Sequence, residues 1–472
     1  MTGSIPTDST PLGVKFTPEV PLDRFAACFE DLEDPRTGNA ALHDFHTLLF
    51  IALCAVLCGG QGAVDMALFA KAKEPFLREF LDLNNGPPSH DTFSRLFRRL
   101  DPDGFRVAFQ RFVTEFSQIC KGVVAIDGKV LRRSFDTASG KSALHMVSAW
   151  GCEQRMVLGQ IATDAKSNEI TAVPKLLRML SLKNTIVTVD ALNCQRAIAS
   201  KIVEQKGDYA LALKGNQPSL HADVTLFLDD PAREGGDTHA TVDADNGRIE
   251  TRVATVSSDI AWLQHDHKWP GLKCIGKVTR TRETRKGRTV ETAYYLLSTK
   301  LSAERFNEVV RSHWGVENRL HWRLDVIMNE DQDRNRLDNS PYNHAILRHM
   351  ALNVIQKDRC AVSSNGRDGT MPFSDNFWLL FEMRSPWGFR AERGSALGLC
   401  PRPREGAALR TRQGWALDAI FWWLFGGGPT RMLQRPGWPS PKQPPTDRGP
   451  GAEALVGSRG KAPVGSGATP QH

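Results

Sequence analysis

Between residues 122 and 213 the apolar residues stop repeating at helical spacing and fall into short runs of strand length. This change of period restricts the fold more than any other feature. GVVAIDGK (122–129), ALHMVSAW (143–150) and MVLGQIATD (156–164) succeed one another across turn-like links and read as three hairpin-connected strands. A helix over Ile170–Leu180, a strand at Thr185–Val189, an amphipathic helix over Cys194–Gln205 and a last strand at Tyr209–Leu213 follow. Strands that first pair among themselves and then alternate with helices specify a mixed α/β sheet.

The flanks divide around this segment. Residues 1–21 are polar and rich in Thr, Ser and Pro, as an untethered terminus would be. From 22 to 120 the pattern is helical, with Leu42–Leu57 apolar on most faces. NNGPPSHDTFSRLF starts a new helix there, capped by Ser89 or Asp91, whose exposed side collects Arg95, Arg98 and Arg99. After KGNQP the alternation stops, and residues 216–300 read as a β-rich insertion. It holds a short helix near Leu220–Leu228, a polar loop, the alternating RIETRVATV, and a hairpin turning at Lys286-Gly287. Helical spacing returns over Ala303–Ile327 and Tyr342–Gln356, within a segment ending near 360. Residues 361–472 hold 13 of the 27 prolines and twelve Arg against two Lys, a mixture expected of a disordered or out-of-frame tail.

Bulk charge does little to identify a partner. The tail carries 14 Lys and Arg against 8 Asp and Glu, so +6 of the net +7 lies there and residues 1–360 carry +1. Any contact with nucleic acid must come from local patches, such as Arg95, Arg98 and Arg99 or Lys129, Arg132 and Arg133. Nine scattered cysteines without a CxxC pair fit a reducing, cytoplasmic compartment. The apolar run Leu48–Cys58 is too short to span a bilayer.

Three acids stand out. Asp127 ends an apolar strand, where a carboxylate is costly unless it is paired or binds a metal. Asp190 repeats that setting in IVTVDALNCQ, at the edge of the sheet where α/β proteins build their sites. Together they suit a hard cation such as Mg²⁺ or Mn²⁺, although acids at strand ends also cap the following helix. Glu317 lies on a helical stripe with His313, His321 and Leu324 in RSHWGVENRLHWRLDV. Three readings fit that stripe: a third carboxylate for the metal, a His–Glu–His zinc set, or a packing face flanked by Trp314 and Trp322.

AIDGKVLRRSFD, TDAKSNEIT, TVDALNCQ, YALALKGNQ, RIETR and HWGVENRLHWRLDVIMNEDQDRNR occur in this order, after LEDPRTGNAALHDF and NNGPPSHDTF. The series resembles the H-repeat-associated group of bacterial DDE insertion-sequence transposases over residues 22 to 356. The resemblance implies an RNase H-like mixed sheet with a β-rich insertion, preceded by an all-helical domain. It maps the catalytic and metal-binding acids onto Asp127, Asp190 and Glu317. Relatives carry Tyr, Arg and Lys where this chain has Val310, His313 and Leu324, so only the glutamate of that wider signature is present.

By the same resemblance two Mg²⁺ or Mn²⁺ ions are expected; Lys129, Arg132 and Arg133, just past the first aspartate, suit either the scissile backbone or a solvated surface turn. The partners implied are transposon terminal inverted repeats and target DNA, bound by a homo-oligomer in the cytoplasm at the nucleoid, away from any membrane. An RNase H-like nuclease, or a non-catalytic DNA-binding relic, are the alternatives.

Overall fold

The computed structural model describes residues 25–362, apart from 39–41, 80, 117–120, 138–139, 164–168, 232–235 and 246. The polar segment 1–21 and all but the first two residues of the tail from 361 lie outside the described residues.

The helical start of the chain forms α1 (Phe45–Leu57), α2 (Ala63–Ala72), α3 (Glu74–Leu77), α4 (His90–Arg99) and α5 (Pro102–Phe116). Every residue of α1 except His46 is buried, which explains a sequence apolar on most faces. Ser89 caps α4, its hydroxyl accepting the Thr92 N–H. These helices do not close a core of their own. Phe25, Phe29, Phe105 and Phe109 pack in one cluster with Leu347 and Met350 of the last helix and with Trp150 and Val157 of the sheet.

The predicted strands are β1 (Gly122–Val130), β2 (His145–Gly151), β3 (Met156–Thr163), β4 (Thr185–Val189) and β5 (Asp208–Leu213). Helices α6 (Glu169–Arg178) and α7 (Arg196–Glu204) separate the later ones. β2 and β3 pair antiparallel on one side of β1, while β4 and β5 run parallel to it on the other. Val124, Ile126, Val147 and Val187 face α6 and α7 on one side of the sheet. Val123 and Ala125 face the opposite layer. Burial on both faces is why these strands read as continuous apolar runs rather than alternations.

The insertion adds α8 (Pro218–Asp229), β6 (Asp237–Asp245), β7 (Arg248–Ser257), α9 (Ala261–His267), β8 (Cys274–Thr284) and β9 (Gly287–Leu297). β9 pairs antiparallel with β5, so the insertion prolongs the same sheet in the order β3-β2-β1-β4-β5-β9-β8-β7-β6. The hairpin turns one residue earlier than expected: Thr284 pairs with Gly287 across Arg285 and Lys286. β6, expected as polar loop, is an edge strand whose one ladder partner among the described residues is β7. Its DTHATVDAD sequence carries the charges that protect an open edge, and those hide the strand pattern.

After the insertion, α10 (Ala303–His313), a π-helical turn (Val316–His321), α11 (Trp322–Val326) and α12 (Ser340–Val362) complete the described chain. Among the described residues no helix is long and apolar enough to cross a membrane. Cys54, Cys58, Cys194 and Cys274 are free thiols.

α12 ties the helical layer to the sheet through two buried amides. Asn343 Nδ2 donates to the carbonyls of Phe97 and Leu100 at 2.9 and 3.0 Å. Asn353 mimics a strand against β3: its Oδ1 accepts the Val157 N–H at 2.8 Å and its Nδ2 donates to the Val157 carbonyl at 2.9 Å. Asn353→Leu leaves both backbone groups buried and unpaired. It is expected to destabilise by about 2–4 kcal/mol in urea unfolding, and a loss indistinguishable from zero would show that the contact carries no such load.

Candidate active site

The parallel ladder between β1 and β4 fixes the first two acids. Its last pair is Ile126 with Val189, so Asp127 and Asp190 are the next residues on neighbouring strands. The expectation that Asp127 ends its strand needs correction. β1 continues to Val130, because β2 is longer than β4 and pairs it through Lys129–Met146 and Val130–His145. Asp127 thus sits where β1 loses one partner and keeps the other.

Burial pushes the Asp127 carboxyl up to about 7, with further upward pressure from the charges of Asp190, Glu317 and Glu169; the Gly128 N–H offsets part of it. Asp190 has a dedicated holder. Asn193 donates to its Oδ1 from both the backbone N–H, at 3.1 Å, and Nδ2, at 2.8 Å. The same Nδ2 reaches Glu169 Oε2 at 3.0 Å, and Glu169 Oε1 meets His145 Nε2 at 2.5 Å. Glu169 and His145 are almost fully buried. A Cβ on Gly128 would lie 2.4 Å from both Glu169 Oε1 and His145 Nε2. Residue 128 is therefore glycine so that this pair can lie against the backbone beside Asp127.

Glu169, Asn193 and His145 are not singled out by the sequence. An acid in the first turn of a helix reads as a partner of the helix dipole, and only the fold turns Glu169 inward. The one signal available was Asn193 three residues after Asp190, a spacing suited to a turn in which the side chain bonds the acid.

Glu317 arrives on a helix that is not uniform. α10 ends at His313, Trp314 follows as its cap, and the next turn is π-helical. The wider turn breaks the expected stripe. His313 Nδ1 bonds the Thr188 hydroxyl at 2.9 Å, while His321 Nδ1 lies 3.7 Å from Asp127 Oδ2. Glu317 is exposed and Leu324 is buried. Burial holds both histidines down at about 4, so they are neutral at neutral pH. His313, Glu317 and His321 do not gather around one point as the zinc reading requires. Among the described residues no three His, Cys, Asp or Glu side chains already form a metal-holding group.

The donors fit a divalent cation in chemistry more than in closed geometry. Asp127 and Asp190 are hard oxygen donors on adjacent strands, with Glu317 close enough to act on Asp127 electrostatically. A carboxyl pushed up first by burial and then by neighbouring acids is one whose charged form a cation would stabilise.

The basic residues separate. Lys129 turns inward, at 12% exposure, to the carboxylates of Asp325 and Glu330. Burial alone would depress its pKa, but those two acids hold it above the usual lysine value. Its ammonium is thus spent inside the protein, in contrast to the expected backbone contact. Arg132 is 77% exposed, 3.5 Å from Asp331. On α4, Arg95 and Arg99 are exposed, and Arg98 pairs with Asp338 at 2.7 Å.

Residues 118–354 match the family described as Transposase DDE domain, and residues 26–113 match the family described as DDE_Tnp_1-associated. The H repeat-associated putative transposase YhhI of Escherichia coli (strain K12) is 38% identical over 67% of this chain and 86% of its own length. The putative transposase YncI of Escherichia coli O157:H7 is 38% identical over 69% of this chain and 85% of its own. An uncharacterized protein of the dhlA 3′ region of Xanthobacter autotrophicus is 45% identical over 54% of this chain and 88% of its own.

Lys129 joins β1 to the segment that follows Glu317, and Glu330 is 3% exposed. Lys129→Ala strands that acid and is expected to cost about 3–5 kcal/mol in chemical unfolding. Adding Glu330→Gln should recover part of the loss. Equal stabilities of the single variant and the parent would refute the tether.

Proposed function

The chain belongs to the DDE transposase family, a family of DNA-acting enzymes that generally depend on divalent metal, and we propose that Asp127, Asp190 and Glu317 are its catalytic, metal-holding acids. The observation that carries this reading is Asp127: a half-buried carboxyl beside Asp190, under the charge of Glu317 and Glu169. A cation is the ligand such a group is short of.

Two Mg²⁺ or Mn²⁺ ions, when bound, would activate the attacking oxygen on one side of a phosphodiester and stabilise the leaving oxygen on the other. Asp127 and Asp190 hold the deep side of that site and Glu317 closes it from the helical layer. Asn193, braced by Glu169, keeps the Asp190 carboxylate turned toward its neighbour. His313 and His321 are neutral at working pH and wall the site without supplying a proton.

The first reaction hydrolyses the strand at the transposon end and leaves a 3′-OH; the second uses that hydroxyl to attack target DNA. Arg132 and Arg133 follow the scissile backbone, without Lys129. Terminal inverted repeats are read by the helical layer, where Arg95 and Arg99 are free to meet phosphates. The protein works as a homo-oligomer on DNA in the cytoplasm, at the nucleoid.

Asp127→Ala, Asp190→Ala and Glu317→Ala are each expected to reduce Mg²⁺-dependent cleavage of donor DNA bearing the element's ends by at least about a thousandfold. Their circular dichroism should stay that of the parent. Cleavage retained by any one variant removes that residue from the site, and parental protein that binds the ends without cutting them is the inactive relic instead.

A further inference from the structure

The outer part of the insertion sheet carries its apolar residues on the side away from its helical cover. An antiparallel sheet covered on one face ordinarily does the reverse, with apolar residues toward the cover and polar ones toward water. In β6 and β7 the inward positions are polar. Thr241 accepts from Asn307 of α10 at 3.2 Å, Asp243 holds Arg311 of α10 at 2.5 Å, and Glu250, the cross-strand neighbour of Asp243, holds Arg252. The alternate residues, Ala240, Val242 and Ala244 on β6 and Ile249, Thr251 and Val253 on β7, therefore point away from α10.

The register carries this outward face across four strands. Val242, Thr251, Thr281 and Val290 lie side by side as one rank, with the ranks of Ala240 and Ala244 on either side of it. Beyond the Ala240 rank α8 covers the sheet, where Lys277 and Tyr294 both bond Asp229 at its end. Outside that cover Val242 is 66%, Ile249 46% and Val290 57% exposed. The charged residues of the three ranks are Glu283 and Arg288, which face each other across β8 and β9 at 3.7 Å. Arg248, Arg252, Arg280 and Arg282 alternate onto the other face.

A flat plane of Val, Ile, Thr and Ala left in water marks an interaction, and sheets with such faces stack on one another about 10 Å apart. Four strands about 4.8 Å apart and three ranks about 6.8 Å apart make roughly 400 Å² in plan. Two such faces, with the relief of their side chains, reach about the 1,000 Å² at which specific interfaces begin. Charge selects the occupant. A phosphate backbone would find one guanidinium there, already paired, whereas a second copy brings a neutral face whose one acid and one base compensate under a two-fold axis. We propose that two copies of the chain meet sheet on sheet through this face. α10 lies on the other side of the sheet, so such a dimer leaves the segment carrying Glu317 open to substrate. The proposal rests on the homo-oligomer reading above and gives it a contact surface.

Sedimentation equilibrium of the full chain in EDTA, alone and on duplex carrying the element's ends, tests this. The parent should dimerise as its concentration rises. Val242→Lys/Val290→Lys and Val242→Glu/Val290→Glu should each weaken the dimer by at least about a hundredfold, because like charges are pressed together. An equimolar mixture of the two variants should dimerise again, which only a face that meets its own copy allows. Both positions are exposed, and melting temperatures equal to the parent's would show the folds intact. A dimer undisturbed by either variant keeps the homo-oligomer reading and overturns this face. A parent that is monomeric at every concentration, alone and on DNA, overturns the two together. A monomeric parent whose glutamate variant loses affinity for the ends assigns the face to DNA and overturns the proposal as well. Mg²⁺-dependent cleavage by the parent is scored separately, so the catalytic reading stands or falls on its own.

Discussion

Carboxylates crowded into a half-buried corner repel one another, and much of the architecture serves to keep them there. Asp127 and Asp190 are brought side by side by the β1–β4 register, and burial together with the neighbouring acids lifts Asp127 to about 7. A fold that only minimised its own energy would place an apolar residue at one of these positions. Holding the acids together is a cost borne by the rest of the molecule, and it makes sense where a cation is to be bound.

The restraint comes from several directions. Asn193 and Glu169 hold Asp190 from below, and the Glu169–His145 pair occupies space that only a glycine at 128 leaves open. Lys129, two residues past Asp127, clamps β1 to Asp325 and Glu330 beyond the glutamate-bearing turn. α12 joins that same region to the helical layer and to β3 through Asn343 and Asn353. Because the N-terminal helices share their core with α12 and the sheet, a substitution in either layer is felt in the other.

What the sequence made legible follows from burial. β1 to β5 are covered on both faces, so their apolar runs stand out, and the two aspartates interrupt those runs conspicuously. The insertion was harder. β6 carries an edge strand's charges, and nothing local says that β9 will pair with β5 and extend one sheet. The helix from Ala303 kept its spacing on paper, but the π turn after Trp314 moved Glu317 off the line joining His313 to His321. Lys129 looked like a surface cation because its carboxylates lie some two hundred residues on, at Asp325 and Glu330. Glu169 had a partner, His145, that only the tertiary fold reveals.

The central claim is that Asp127, Asp190 and Glu317 form a divalent-metal site. Thermal unfolding of the full chain with and without Mn²⁺, in parent and in Asp127→Asn, tests it most directly. The account predicts that Mn²⁺ at about a hundredfold excess over its dissociation constant stabilises the parent by roughly 2.7 kcal/mol. It predicts that the variant, relieved of one repelling charge, is at least as stable without metal and gains far less from it. Equal stabilisation of both proteins by Mn²⁺, or none of the parent at any concentration, would contradict it.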